Sequence, residues 1–205
     1  MDEDTIFKII SIVVFLGIIV GMITAAVILR QGPVKKTSTI SYNNFEFIRT
    51  SQNLWGTIWH NTQDNQDREL QFRYLPNETV DIQMTGQVGQ SFFENEIYVT
   101  FDPAAAGLQN LTIAATDLSL NLARGLNYDL VAACTTNATG CENRPIVTCE
   151  QNATIPIIYL SSKSPTQIAL SGMCITIQGE GKELIRSVDK FLYVWYGIIP
   201  TQEIT

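Results

Sequence analysis

The chain has 205 residues, 45% of them apolar, with 13 basic and 20 acidic side chains for a net charge of -7. That length suits one domain of ordinary size, and the apolar content excludes a disordered acidic tail. The charge balance also excludes a conventional nucleic-acid binder, because it leaves no basic field to attract phosphates.

Residues 1–8 form a short acidic tail containing Asp2, Glu3 and Asp4. Ile9 to Leu29 then runs without a charge, with Ser11 and Thr24 as its polar residues. As a helix rising 1.5 Å per residue it would be roughly 31 Å long, which matches a hydrocarbon core of about 30 Å. A signal peptide would have a shorter apolar region behind a basic start, so the run reads as a retained transmembrane helix with membrane lipid as its first partner. Gly17, Gly21 and Ala25 recur every four residues, a stripe of small residues that lets two such helices approach closely.

The flanking charges and the body of the chain disagree about orientation. Arg30, Lys35 and Lys36 follow the run, whereas Lys8 precedes it, which by the positive-inside rule puts the carboxyl side in the cytoplasm. Beyond residue 36 the lysines are only Lys163, Lys182 and Lys190, while all four cysteines and four Asn-x-Thr sequons occur there. Long domains translocate despite unfavourable flanks. The expectation is a single-pass protein with its domain extracytoplasmic and N-linked glycans as candidates at Asn77, Asn110, Asn137 and Asn152. The sequence of Asn110 is also compatible with capping at a helix start.

Residues 30–39 form a juxtamembrane stalk, in which Gln31-Gly32-Pro33 ends the helix. Residues 40–200 read as an α+β domain, and 201–205 as a tail. Strand character appears at 40–49, 54–60, 69–75 and 96–101, and the polar interval 60–67 reads as a hairpin loop, so the first half is expected to form an antiparallel sheet. A helix is expected over 108–124, on Leu111, Ala115, Leu118 and Leu122, with Gly125 as its stop. Further strand-like runs follow at 128–134, 155–160 and 168–178.

The last element is amphipathic: Leu184, Ile185, Val188, Phe191, Leu192 and Trp195 share one face, with Glu183, Arg186, Asp189 and Lys190 on the other. Tyr193, Val194 and Tyr196 lie off that stripe. Burial by a second layer of the same domain is the preferred account, and an exposed patch for a partner is the alternative. An antiparallel sheet with two amphipathic helices gives the α+β class.

Cys134, Cys141, Cys149 and Cys174 lack the close pairs of a zinc site, so two disulfides are expected. Of three pairings, the preferred one joins Cys134 to Cys174 across neighbouring strands and lets Cys141 and Cys149 close a loop. The hydrophobic helix ahead of a β-rich domain is similar to pilin-like subunits in layout. The processing motif and the acidic residue inside the apolar run are missing, so no pilin motif is carried over.

No catalytic signature is present. His60 is the one histidine, and G-x-S-x-G, H-E-x-x-H and Walker patterns do not occur. Gly179-Glu180-Gly181 lacks the third glycine of a dinucleotide fingerprint and puts a carboxylate where a phosphate would lie. Glu94 with Glu96, and Asp64 with Asp67, are close in sequence but have no apolar setting that would tune them as acid and base. No cofactor or metal is expected. The reading is a binding or assembly module at the cell surface or in an envelope complex, with a protein partner or a second copy of the chain. A membrane-anchored hydrolase is the competing class.

Overall fold

The computed structural model describes residues 38–93, 96–150 and 154–200, together with Gly17, Gly21 and Met22. The chain divides between residues 37 and 38. Gly17, Gly21 and Met22 are helical and exposed; the rest of the 9–29 run, Ala25 included, lies outside the described residues. Among the described residues no helix is long and apolar enough to cross a membrane.

Four strands open the domain as an antiparallel meander: β1 (Thr39–Tyr42), β2 (Phe45–Arg49), β3 (Trp55–Asn61) and β4 (Gln66–Phe72). The single strand expected over 40–49 is therefore a hairpin. Asn43 and Asn44 turn it with positive φ values of 45° and 66°, a conformation asparagine tolerates because its short amide can bond locally. The Asn43 amide also donates to the carbonyl of Ile198 at 2.9 Å. In the β3–β4 hairpin the ladder runs into the polar interval, pairing His60 with Asp67 and Asn61 with Gln66. The loop is thus shorter than the expected 60–67.

The second sheet comprises β5 (Gln83–Val88), β6 (Ile97–Phe101), β7 (Leu130–Cys134), β8 (Ile157–Ser161), β9 (Gln167–Gly172) and β10 (Cys174–Gln178), in the order β5-β9-β10-β8-β6-β7. Its pairings are parallel except for the β9–β10 hairpin. The run 168–178 is thus two strands. Parallel neighbours need a long crossover, and α1 (Leu108–Leu126) supplies it between β6 and β7. After β10 comes α2 (Lys182–Trp195). The domain is α+β with an antiparallel sheet and two helices, and it adds a mixed sheet.

The helices lie between the sheets. α1 touches β3 and β4 on one side and β6 and β8 on the other, and α2 packs on α1, β9 and β10. From α2, Tyr193 reaches the first sheet, with its ring 5.9 Å from Phe47 and 4.2 Å from Phe72. Leu184, Val188, Phe191 and Leu192 are fully buried, each contributing about 1.5 to 3 kcal/mol relative to exposure.

Asp189 and Lys190, expected on a solvated face, are buried at 0% and 8% exposure, because a helix between two sheets has little open surface. The α1 stop is also not Gly125 but Asn127, which takes the left-handed conformation at φ 58° and donates its N–H to the carbonyl of Ala123, while the Tyr128 N–H bonds the carbonyl of Leu122. Tyr193 and Tyr196 are buried by the second layer.

Two disulfides are present, but their pairing is Cys134–Cys141 and Cys149–Cys174. The expected Cys134–Cys174 bridge fails on distance: β7 and β10 are separated by β6 and β8. Three strand spacings are roughly 14 Å, twice what a disulfide spans between α-carbons. The observed bridge from Cys149 to Cys174 closes a separation of 25 residues, which by chain entropy stabilises the fold by about 3 to 4 kcal/mol. Cys134–Cys141 spans 7 residues and contributes less, about 2 kcal/mol. Chemical unfolding of Cys149→Ser/Cys174→Ser should therefore show the larger loss of the two double variants. Equal losses would contradict the loop-length argument.

Candidate binding surface

The outer faces of the two sheets differ. On the six-stranded sheet, Ala133 and Ile157 are buried under Val147, with Tyr98, Cys149, Ile155 and Tyr159 packed around them. Hydrogen bonds from Cys134 N–H to Pro145 and from Val147 N–H to Cys134 fasten that covering segment to the end of β7, and the Cys149–Cys174 disulfide ties it to β10. No described segment covers the four-stranded sheet in the same way. Ile48 and Ile58 are 45% and 58% exposed there.

Strand alternation produces this face. In β3, Trp55, Thr57, Trp59 and Asn61 turn inward, leaving Gly56, Ile58 and His60 outside. The register puts Ile48 and Gln71 beside Gly56, Glu69 beside Ile58, and Asp67 beside His60. Because Gly56 has no side chain, a groove of about 460 Å³ opens there, lined by Glu46, Ile48, Thr50, Ile58 and Glu69 among others. A Cβ at Gly56 would stand 3.3 Å from the Thr50 methyl and 3.5 Å from Glu69 Oε1.

Nothing matches this chain in comparisons with protein-family models, curated proteins or solved structures.

The face is apolar and acidic. Its outward side chains include Glu46, Glu69 and Asp67 but neither lysine nor arginine: Arg68 turns toward α1, where it donates to the carbonyl of Arg124, and Arg49 lies over the Trp55 ring at 4.6 Å. His60 is on a strand rather than in a loop, and its Nδ1 stands 2.9 Å from Asp67 Oδ1, with both groups exposed. Among the described residues no hydroxyl bonds His60 and every cysteine is in a disulfide.

The other residues marked in the sequence do not converge with it. Asp64 pairs with Arg68, Glu96 is exposed, and Glu94 lies outside the described residues. No group of His, Cys, Asp and Glu suited to a metal ion occurs among the described residues. At the Gly179-Glu180-Gly181 turn, a Cβ on Gly179 would meet the Glu183 carbonyl carbon and the Leu184 nitrogen at 2.6 Å. That glycine is needed for close approach of backbone, and Glu180 receives a hydrogen bond from Ser164.

Asn77 and Asn137 are exposed, as a glycan requires, and Asn110 is partly exposed. Asn110 does not cap its helix, since α1 starts after Gly107. Asn152 lies outside the described residues. At Gly17 and Gly21 an added Cβ would meet nothing within 4 Å.

One acidic group of the polar face of α2 lies inside the domain instead. Asp189 is completely buried, and its Oδ2 accepts the backbone N–H groups of Arg73 at 2.9 Å and Tyr74 at 2.8 Å. Burial pushes its carboxyl up to about 8, against the two N–H bonds that favour the charged form. It joins α2 to the end of β4, far in role from the open face, and acts in the fold.

Proposed function

We propose that this chain is a single-pass membrane-anchored protein whose extracytoplasmic domain serves as a binding or assembly module at the cell surface or in an envelope complex. The observation that carries this reading is the uncovered outer face of the four-stranded sheet, where Ile48 and Ile58 flank one groove. A single exposed isoleucine needs no explanation, but two around a concavity on an otherwise layered domain fit a contact surface. The uncharged run from Ile9 to Leu29 supports the anchor. The two disulfides support an oxidising compartment. Gly17 and Gly21 offer a second route to assembly, through the anchor itself.

The test is made on intact cells. External protease is expected to digest the domain, glycosidase to shift its mass, and Ile58→Asp to remove crosslinked partners while leaving the unfolding midpoint within about 2 °C of wild type, as befits an exposed site. A protected, reduced domain would refute the topology. Unchanged crosslinks in Ile58→Asp would refute the surface.

A further inference from the structure

We propose that the groove at Gly56 receives a basic, aliphatic segment of a partner protein, with a lysine or arginine stem laid against Ile48 and Ile58 and its cation held between Glu46 and Glu69. This inference rests on reading the sheet face as a binding surface and names what that surface selects. The first argument is sign. Among the described residues neither Glu46 nor Glu69 belongs to an ion pair, and no basic side chain shares their face. Glu69 accepts one neutral hydrogen bond, from the Gln71 amide at 3.1 Å, which leaves its charge unpaired; a neutral apolar occupant would desolvate both carboxylates with no counter-charge, which is costly.

The second argument is spacing. Glu69 is directly across from Ile58 on β4, and Glu46 stands on β2, the other neighbour of β3. Strands are about 4.8 Å apart, so the two carboxylates straddle the Ile58 strand at roughly 10 Å. A lysine or arginine matches that arrangement, since its methylene stem covers apolar surface while its head remains with the acids. Arginine matches it best, having donors on several sides of one plane. The absent side chain of Gly56 supplies the depth.

The same features disfavour other occupants. A second copy joined face to face would set Glu46 and Glu69 against their own counterparts, and like charges across an interface cost affinity. An anionic membrane surface would be repelled by the same groups. A partner segment that alternates basic and aliphatic residues satisfies both the charge and the two isoleucines.

The test uses the full chain in zwitterionic nanodiscs with labelled isoleucine methyls. The probes are three nine-residue amidated peptides alternating valine with arginine, serine or glutamate. The arginine peptide is expected to shift the Ile48 and Ile58 methyls saturably, and the glutamate peptide to leave them unmoved. Glu46→Gln/Glu69→Gln, isosteric and exposed, should weaken the arginine peptide at least tenfold, and Gly56→Val should do so by filling the groove. Undiminished binding in the glutamine variant, equal binding of the serine peptide, shifts confined to other isoleucines, or no binding would each overturn the inference. Self-association abolished by Ile58→Asp would do the same, with a second copy as the occupant. If Ile58→Asp removes the cellular crosslinks and Glu46→Gln/Glu69→Gln keeps them, the surface stands and the basic partner falls.

Discussion

Replacing Gly125 with alanine should destabilise the domain by about 2 to 3 kcal/mol, although alanine is the better helix former by about 1 kcal/mol. The reason is a close approach. A Cβ at Gly125 would stand 2.1 Å from the Tyr196 hydroxyl, 2.9 Å from its ring carbon and 3.0 Å from a methyl of Leu70. Neither neighbour can retreat cheaply. Leu70 is fully buried, and Tyr196 is held by three contacts: its hydroxyl donates to the Asn121 carbonyl at 2.7 Å, its own carbonyl accepts from Trp59 Nε1 at 3.1 Å, and its ring meets Trp59 edge-on at 5.0 Å. Tyr196→Phe removes the hydroxyl and should cost about 1 kcal/mol by itself. In the double variant the methyl occupies part of the space the hydroxyl vacates, so the losses should fall short of additive by about 1 kcal/mol or more. Additive losses in equilibrium unfolding would mean that Gly125 acts through backbone conformation instead.

Gly125 also shows where sequence reasoning stops. A glycine near the end of an apolar period reads as a helix stop, because nothing local reveals that Tyr196, 71 positions on, rests against it. Local signals did reveal α1 and α2, whose apolar spacing is short-range. Hairpins were half legible: the 40–49 and 168–178 runs have strand composition, but Asn43-Asn44 and Gly172-Met173 are weak turn signals beside Asn-Gly. β5, with the sequence QMTGQV, has little β-branched content and was not seen at all. The mixed sheet was hidden because parallel pairing joins segments far apart in sequence. The disulfide pairing depended on that same strand order. The candidate surface was illegible for a related reason: in β3 both faces carry apolar residues, so alternation alone does not say that Trp55 and Trp59 turn inward and Ile58 outward.

Asp189 is expected to give the domain a stability that falls as pH rises between about 4 and 8. In the folded state burial holds its carboxyl at about 8, against 3.8 for the unperturbed group. The folded state thus binds the proton more tightly. The contribution is fully present below the unfolded value and is lost as pH rises through the folded one, at up to about 1.4 kcal/mol per pH unit. The facing groups are Arg73 and Tyr74 at the end of β4 and Asp117 on α1, of which Arg73 favours the anion and Asp117 opposes it. Asp117 is itself bonded by Arg73, which limits its repulsion. Other carboxylates titrate over the same range, so the informative quantity is the difference from Asp189→Asn. That variant retains an oxygen for the Arg73 and Tyr74 N–H groups and cannot ionise. Wild type minus variant should decline with pH across the window and level off above 8. Asp189→Leu, in contrast, leaves two buried N–H groups without their acceptor and should lie about 2 to 5 kcal/mol below Asp189→Asn at every pH, since neither variant ionises at this position. A difference between wild type and Asp189→Asn that stays flat from pH 4 to 9 would mean that the carboxyl ionises as freely inside the fold as outside. The two N–H bonds would then offset burial in full, and the link between α2 and β4 would be a charged one.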